Sequence, residues 1–348
     1  MFQRFAWMVP LALVAALAGA NAARAQSLDQ VQVVKGPPSR GTVSKITKDA
    51  VTLDMSGIGR PFPVNEITRV LFEGEPSELA AARMHVLQKN YGAALQELRK
   101  LDGQNGFKPF VAADIAYYKA TCLAQQAMTE GGDKPAALKT LLDWVKSNAD
   151  SFHFYEAAET LGDLAAASGD YAKAVTYYTG LSGAPWGDYQ MRGNIAVGRA
   201  LIAQKQYSEA LQKFESVIAA DLSTTEATTQ KQLATVGKAV CLAETDKVDV
   251  ALALLNDLIA KNDPADGALF ARAYNALGNC YLKMDRPKDA LQAYLHTDIL
   301  FYAETEAHAE ALYRLSKLWN DVNKADRAVA ARNTLRERYA GSVWASLE

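Results

Sequence analysis

Four histidines and three cysteines are all this chain holds of the side chains that most often act as proton shuttle, thiolate nucleophile or soft metal ligand. His85, His153, His296 and His308 are scattered, and none stands three or four residues from another His or from Cys, the spacing that brings two ligands onto one helix face. Cys122, Cys241 and Cys280 form no CxxC pair; each sits among apolar residues in a helical pattern, where cysteine serves as a small buried hydrophobe. The phosphate loop G-x-x-x-x-G-K-S/T, the G-x-G-x-x-G fingerprint, the G-x-S-x-G elbow and H-E-x-x-H are absent, and Gly57-Ile58-Gly59 reads as a turn. Asp and Glu are expected to solvate helix faces and pair along them. The residues predict no catalytic centre, no metal and no cofactor. Recognition through charge, amide and aromatic groups is the chemistry left to place.

The elements that must place it come from 348 residues, 49% hydrophobic and 22% charged, enough apolar material for a sizeable core. With 37 Lys and Arg against 39 Asp and Glu there is no basic excess, so no nucleic-acid partner is expected. The chain begins Met1-Phe2-Gln3-Arg4, continues as an apolar run from Phe5 to Gly19, and reaches Ala23-Arg24-Ala25 before Gln26. A charged start, a short apolar run and an A-x-A site describe a secretory signal peptide over residues 1–25, cleaved after Ala25. The run is shorter than the roughly 20 residues a membrane-spanning helix needs. The expectation is an exported, periplasmic or cell-envelope protein with no stable membrane insertion after cleavage.

Residues 31–75 alternate β-branched and polar residues between Gly and Pro turns, which predicts four or five short strands. So few residues must curl to bury one face, and the pattern resembles a small SH3-like or Sm-like barrel; the alternative is a meander that packs only on the first helix. Glu73-Gly74-Glu75-Pro76 ends the module, and from Ser77 the spacing turns helical and repeats. One unit reads Tyr274-x2-Leu277-Gly278-x2-Tyr281, then Ala290-x3-Tyr294. Two more agree: Leu161-Gly162 leads to Tyr171, Ala174 and Tyr178, and Val197-Gly198 to Tyr207, Ala210 and Phe214. These units resemble the tetratricopeptide repeat, W-x2-L-G-x2-Y followed by A-x3-F. The small residue of each second helix recurs at Ala94, Ala137, Ala174, Ala210, Ala251, Ala290 and Ala328. The expected fold is mainly all-α: a superhelical solenoid of about seven helix pairs over 77–348, preceded by the β module. The ending Tyr339-Ala340-Gly341-Ser342-Val343-Trp344 resembles the Tyr-Pro-x-Ser-x-Trp close of exported tetratricopeptide proteins such as the Tol-Pal type coordinators. Those begin with a coiled coil and this chain with strands, so their role is not carried over.

In such repeats the first helix of each pair lines a concave groove. Counted by that resemblance, the groove receives Arg192 and Arg199, then Lys231 and Lys238, then Asn275, Asn279 and Lys283, then Tyr313 and Lys317. Arg192 and Arg199, like Lys231 and Lys238, stand two helical turns apart on one face. An earlier unit offers Glu156, Glu159 and Asp163 instead, so the groove is expected to change from acidic to basic along its length. Lys and Arg neutralise carboxylates and Asn pairs with peptide groups, which suits an extended, anionic segment of a protein or peptide partner. The expected function is a non-enzymatic interaction scaffold of the cell envelope. The competing reading is a structural component that assembles with copies of itself. Pro185-Trp186-Gly187-Asp188-Tyr189 reads as a loop between hairpins and a partner anchor.

Overall fold

A computed structural model describes residues 28–348; the signal segment lies outside the described residues. Five strands open the chain: β1 (Asp29–Val33), β2 (Ser39–Ile46), β3 (Ala50–Met55), β4 (Ile58–Pro63) and β5 (Ile67–Leu71). They pair antiparallel in the order β4-β3-β2-β1-β5, with Leu53 opposite both Val43 and Arg60, and Val31 opposite Val70. The sheet is open and not a closed barrel: β4 and β5 are its two edges. The 3-10 turn Val64–Glu66 carries the chain from one edge to the other. Closure is not needed to bury the apolar face, because the first helices cover it. Val31, Val51, Leu53, Phe62 and Val70 share one core with Leu79, Ala82, Leu95 and Leu98 of the helical region. The module thereby caps the end of the array that would otherwise be open to water.

Helices follow in seven antiparallel pairs: α1 (Ser77–Leu87) with α2 (Tyr91–Arg99), α3 (Pro109–Thr129) with α4 (Lys134–Ser147), α5 (Phe154–Ala167) with α6 (Tyr171–Ser182), and α7 (Gly187–Ala203) with α8 (Tyr207–Ile218). Then come α9 (Thr225–Glu244) with α10 (Val248–Lys261), α11 (Gly267–Lys283) with α12 (Pro287–Leu300), α13 (Thr305–Asp321) with α14 (Ala325–Arg338), and a short α15 (Val343–Ser346). The seven alanines that mark the period are all buried, each in a second helix. Gly162, Gly198 and Gly278 lie sixteen residues before Tyr178, Phe214 and Tyr294, and each glycine receives that ring. A Cβ on Gly278 would come within 2.6 Å of Tyr294 Cζ. Close approach of the two helices therefore dictates glycine at this place.

The turns inside each pair share one backbone corner. Lys89, Gly169, Lys205, Asp246, Asp285 and Asn323 all have positive φ, and each directly precedes the N-cap of a second helix. The seventh turn, between α3 and α4, is longer and uses Gly131 at φ 82°. Asn90, Asp133 and Asp170 then accept the first free N–H groups of their helices at 3.1, 2.9 and 3.1 Å. The left-handed position survives where glycine is replaced, so Asp285-Arg286-Pro287 makes the same corner as Gly169-Asp170-Tyr171.

Candidate functional site

First helices touch first helices along the array, α1 with α3, α3 with α5, α7 with α9, α9 with α11 and α11 with α13, which makes them its inner wall. Two positions recur on that wall, six residues before and one after the small residue that faces the second helix. They hold Glu156 and Asp163 on α5, Arg192 and Arg199 on α7, Lys231 and Lys238 on α9, and Arg272 and Asn279 on α11. On α13, where buried Ser316 takes the glycine's place, they hold Glu310 and Lys317. The wall thus runs acidic, basic, basic, basic and polar, then mixed.

These charges meet one another. Arg192 pairs with Glu159 of α5 and lies over the Tyr189 ring at 5.1 Å. Lys238 reaches Glu215 at 2.9 Å and Lys283 reaches Glu244 at 3.0 Å. Lys231 makes no ion pair among the described residues. Asn275 is buried: its Nδ2 donates to the Ala307 carbonyl at 2.8 Å and to Glu310 at 3.1 Å, and its Oδ1 accepts from Thr297 at 2.8 Å. Asn279 donates to Glu310 at 3.3 Å and accepts from Tyr294 at 2.8 Å. Asn275 therefore ties α11 to α12 and α13 and has no amide left to offer a ligand. Tyr313 and Lys317 meet the chain's own ending: Trp344 lies 5.5 Å from the Tyr313 ring, and Lys317 holds Glu348 at 3.1 Å.

One pair crosses the groove. Arg199 of α7 bonds Glu306 in the first turn of α13, three helix pairs further on, and Glu306 also takes Arg272 at 2.9 Å. Asp163 of α5 borders the same place. Although Asp163 lies at the surface, the crowded groove around it disfavours its charge and, with Glu159 and Glu306 adding to this, pushes its carboxyl up to about 6 despite the hydrogen bond from Tyr178. Glu306 is open to water on one side, and although the crowded groove partly desolvates it, Arg199 and Arg272 outweigh that and hold its carboxyl well below the ordinary range. The array also meets itself at its ends: Gly341 N donates to the Thr129 carbonyl at 3.4 Å, and Gly131 lies against Ala340. The superhelix comes round on itself.

Known structures with this arrangement decide the fold. A tetratricopeptide repeat protein from Parabacteroides merdae ATCC 43184 superposes with a TM-score of 0.53 at 16% identity, over 75% of this chain and 92% of that one. The chain has the tetratricopeptide-repeat fold. The Rap protein complexed with Competence and Sporulation Factor gives 0.51 at 13% identity over 77% and 76%, and the apo quorum sensor NprR from B. thuringiensis gives 0.50 at 13% over 74% and 85%. No family model and no curated protein matches the sequence.

Within this tetratricopeptide solenoid, the sequence reading missed Arg272, Glu306 and Glu310. Arg272 occupies the same recurring position as Arg192 and Lys231, so strict counting from Gly278 would have found it. Glu306 carries no such signal, since its role comes from curvature. Trp186 is also placed differently from its sequence reading. It is half-buried at the start of α7, with Tyr155 5.7 Å and Tyr189 5.3 Å from its ring, and it packs against the core shared with the β module. The Tyr155 hydroxyl donates to Asp49 of that module at 2.8 Å. The aromatic patch is an internal seam. Cys122, Cys241 and Cys280 are buried and unbridged, and burial pushes their thiols up to about 12, 12 and 11. Among the described residues no His, Cys, Asp or Glu cluster is fit to hold a metal, and no helix is long and apolar enough to cross a membrane.

Proposed function

We propose that this tetratricopeptide protein is a non-enzymatic interaction scaffold of the cell envelope, holding an extended or acidic segment of a partner protein against its inner wall. One observation carries the reading: a ladder of half-exposed cations, Arg192, Arg199, Lys231, Lys238 and Arg272, on consecutive first helices, nearly all in ion pairs that reach no deeper than the surface. Such pairs contribute roughly 0–1 kcal/mol each, so a ligand carboxylate exchanges for Glu159, Glu215 or Glu306 at small cost. Buried pairs would resist that exchange. Rap, of the same fold, was solved with Competence and Sporulation Factor bound, which supports a ligand-holding role for a solenoid of this shape. Envelope placement rests on the N-terminal segment alone.

A photo-crosslinking residue at Thr235, on the face between Lys231 and Lys238, tests the groove against the same residue at exposed Gln212 of α8. Partner adducts are expected from Thr235 only, and lost with Lys231→Glu plus Lys238→Glu. Adducts from Gln212 alone would move the site to the outer wall. Self-assembly has an observation of its own, the exposed Ile299, Leu300 and Tyr302 at the end of α12, 63%, 61% and 55% accessible. If that surface drives assembly, Leu300→Glu lowers the sedimentation coefficient at high concentration. An unchanged monomer in both proteins removes this reading.

A further inference from the structure

We infer that Arg199 and Arg272 form a carboxylate-binding site that the chain fills with its own Glu306, and that an acidic ligand entering the groove takes the place of Glu306 and frees the last helix pair to move. The inference rests on the groove reading above and names what the groove would recognise.

Two guanidiniums from different helices, α7 and α11, converge on one carboxylate, and neither makes another ion pair among the described residues. Planar donor forks in this arrangement match a carboxylate's two oxygens, whichever molecule supplies them. The Glu306 side chain is 55% exposed, so water and competing anions reach it. Leaving the arginines does not strand it, because Glu306 stands in the first turn of α13, where the helix dipole favours negative charge. The arginines are the groups left wanting a partner.

The pairing also has a mechanical meaning. Glu306 is 107 residues beyond Arg199 and belongs to the last pair, so the bond closes the groove like a rung. The other self-contact seen among the described residues lies just past α14: a 3.4 Å hydrogen bond from Gly341 to Thr129, with Ala340 packed on Gly131 and Gly341 against the end of α3. Exchange of Glu306 for a ligand carboxylate removes the ionic part of the closure. The last pair then acts as a door whose latch copies the ligand.

Fluorescence anisotropy with labelled hexaglutamate tests the site in the full mature chain, with far-UV circular dichroism confirming equal helix content. Glu306→Gln is expected to bind hexaglutamate several-fold more tightly than wild type, as the loss of two exposed ion pairs allows, and Arg199→Gln added to it should abolish the gain. Arg272→Gln alone should weaken hexaglutamate binding, and it keeps the idea testable should Glu306→Gln misfold. Hexaglutamine with a free C-terminus and the same peptide amidated separate a terminal from a side-chain carboxylate: a gain confined to the free-ended form assigns the site to a chain terminus. Small-angle scattering should show the wild type expanding when hexaglutamate saturates it. Equal affinity of wild type and Glu306→Gln, or no expansion, overturns the inference. Thr235 crosslinks that persist equally in both proteins would then leave the groove reading standing, and their absence would remove that reading as well.

Discussion

At the scale of single residues, the solenoid depends on positions where a side chain is forbidden or strained. Tyr294 is wholly buried, and its ring fills the space a Cβ on Gly278 would need. Gly278→Ala should therefore cost about 1–3 kcal/mol, the usual effect of overpacking a core that cannot yield. A urea midpoint equal to wild type would show that the ring moves aside freely. The turns predict the opposite sign. Lys205 holds φ 61° with a full side chain, and left-handed backbone costs such a residue about 1–2 kcal/mol, of which glycine's greater unfolded freedom takes back a part. Lys205→Gly should stabilise by about 0.5–1 kcal/mol, measured by the same unfolding curve. The small and aromatic positions were legible because only a small residue meets the first demand and only a large ring the second. The left-handed corners were not, since Lys89, Lys205 and Asp285 look like ordinary helix surface and are held there by the two helices they join.

At the scale of elements, the first helices are stitched together by a buried network that no motif announces. Arg83 of α1 pairs with Asp114 of α3 and with Glu75 at 2.6 Å; Asp114 holds His153, just before α5, at 2.7 Å; and His153 meets Glu156 at 3.2 Å while stacking on Tyr117 at 3.8 Å. These residues lie far apart in the chain, so their meeting depends on helix packing that periodicity does not specify. Burial works to lower the His153 pKa, but Asp114 and Glu156 outweigh it and hold the imidazole above its ordinary value. Burial likewise pushes Asp114 up, and His153 and Arg83 reverse that, leaving it below the carboxylate range. The imidazole's contribution is whole below the unfolded value of about 6.5 and vanishes as pH rises through the higher folded value. Asp114 contributes above the unfolded value of about 3.9 and loses that contribution as pH falls through its depressed folded one. Stability should peak between these limits and decline on the alkaline side. His153→Gln, which keeps an amide donor toward Asp114 but cannot titrate, should flatten the alkaline decline and leave the acid one. Equal declines in both proteins would mean that the imidazole is not the titrating group.

At the scale of the whole molecule, curvature turns a string of pairs into a nearly closed ring, and that is where sequence reasoning had least to offer. The inner-wall ladder could be counted from glycine to glycine, yet nothing around Arg199 says that its partner is Glu306. That follows from how far each pair rotates on the last. The contact of Gly341 with the end of α3 isolates this property. A Cβ on Gly341 would fall inside the contact distance of the Met128 and Ala127 carbonyls in the last turn of α3. Gly341→Ala changes no charge and lies outside the inner wall, so it separates shape from electrostatics. It should leave helix content unchanged, increase the radius of gyration in small-angle scattering, and speed hydrogen exchange at residues 339–342. It should also weaken the Arg199 to Glu306 bond indirectly, because the last pair is then held off the second one. That weakening is readable as a smaller loss on adding Glu306→Gln in the Gly341→Ala background than in wild type, a coupling between two sites joined only through the curvature of the array. If the two substitutions are strictly additive and the radius does not change, the closure at Gly341 is incidental and the rung at Glu306 holds the groove shut unaided.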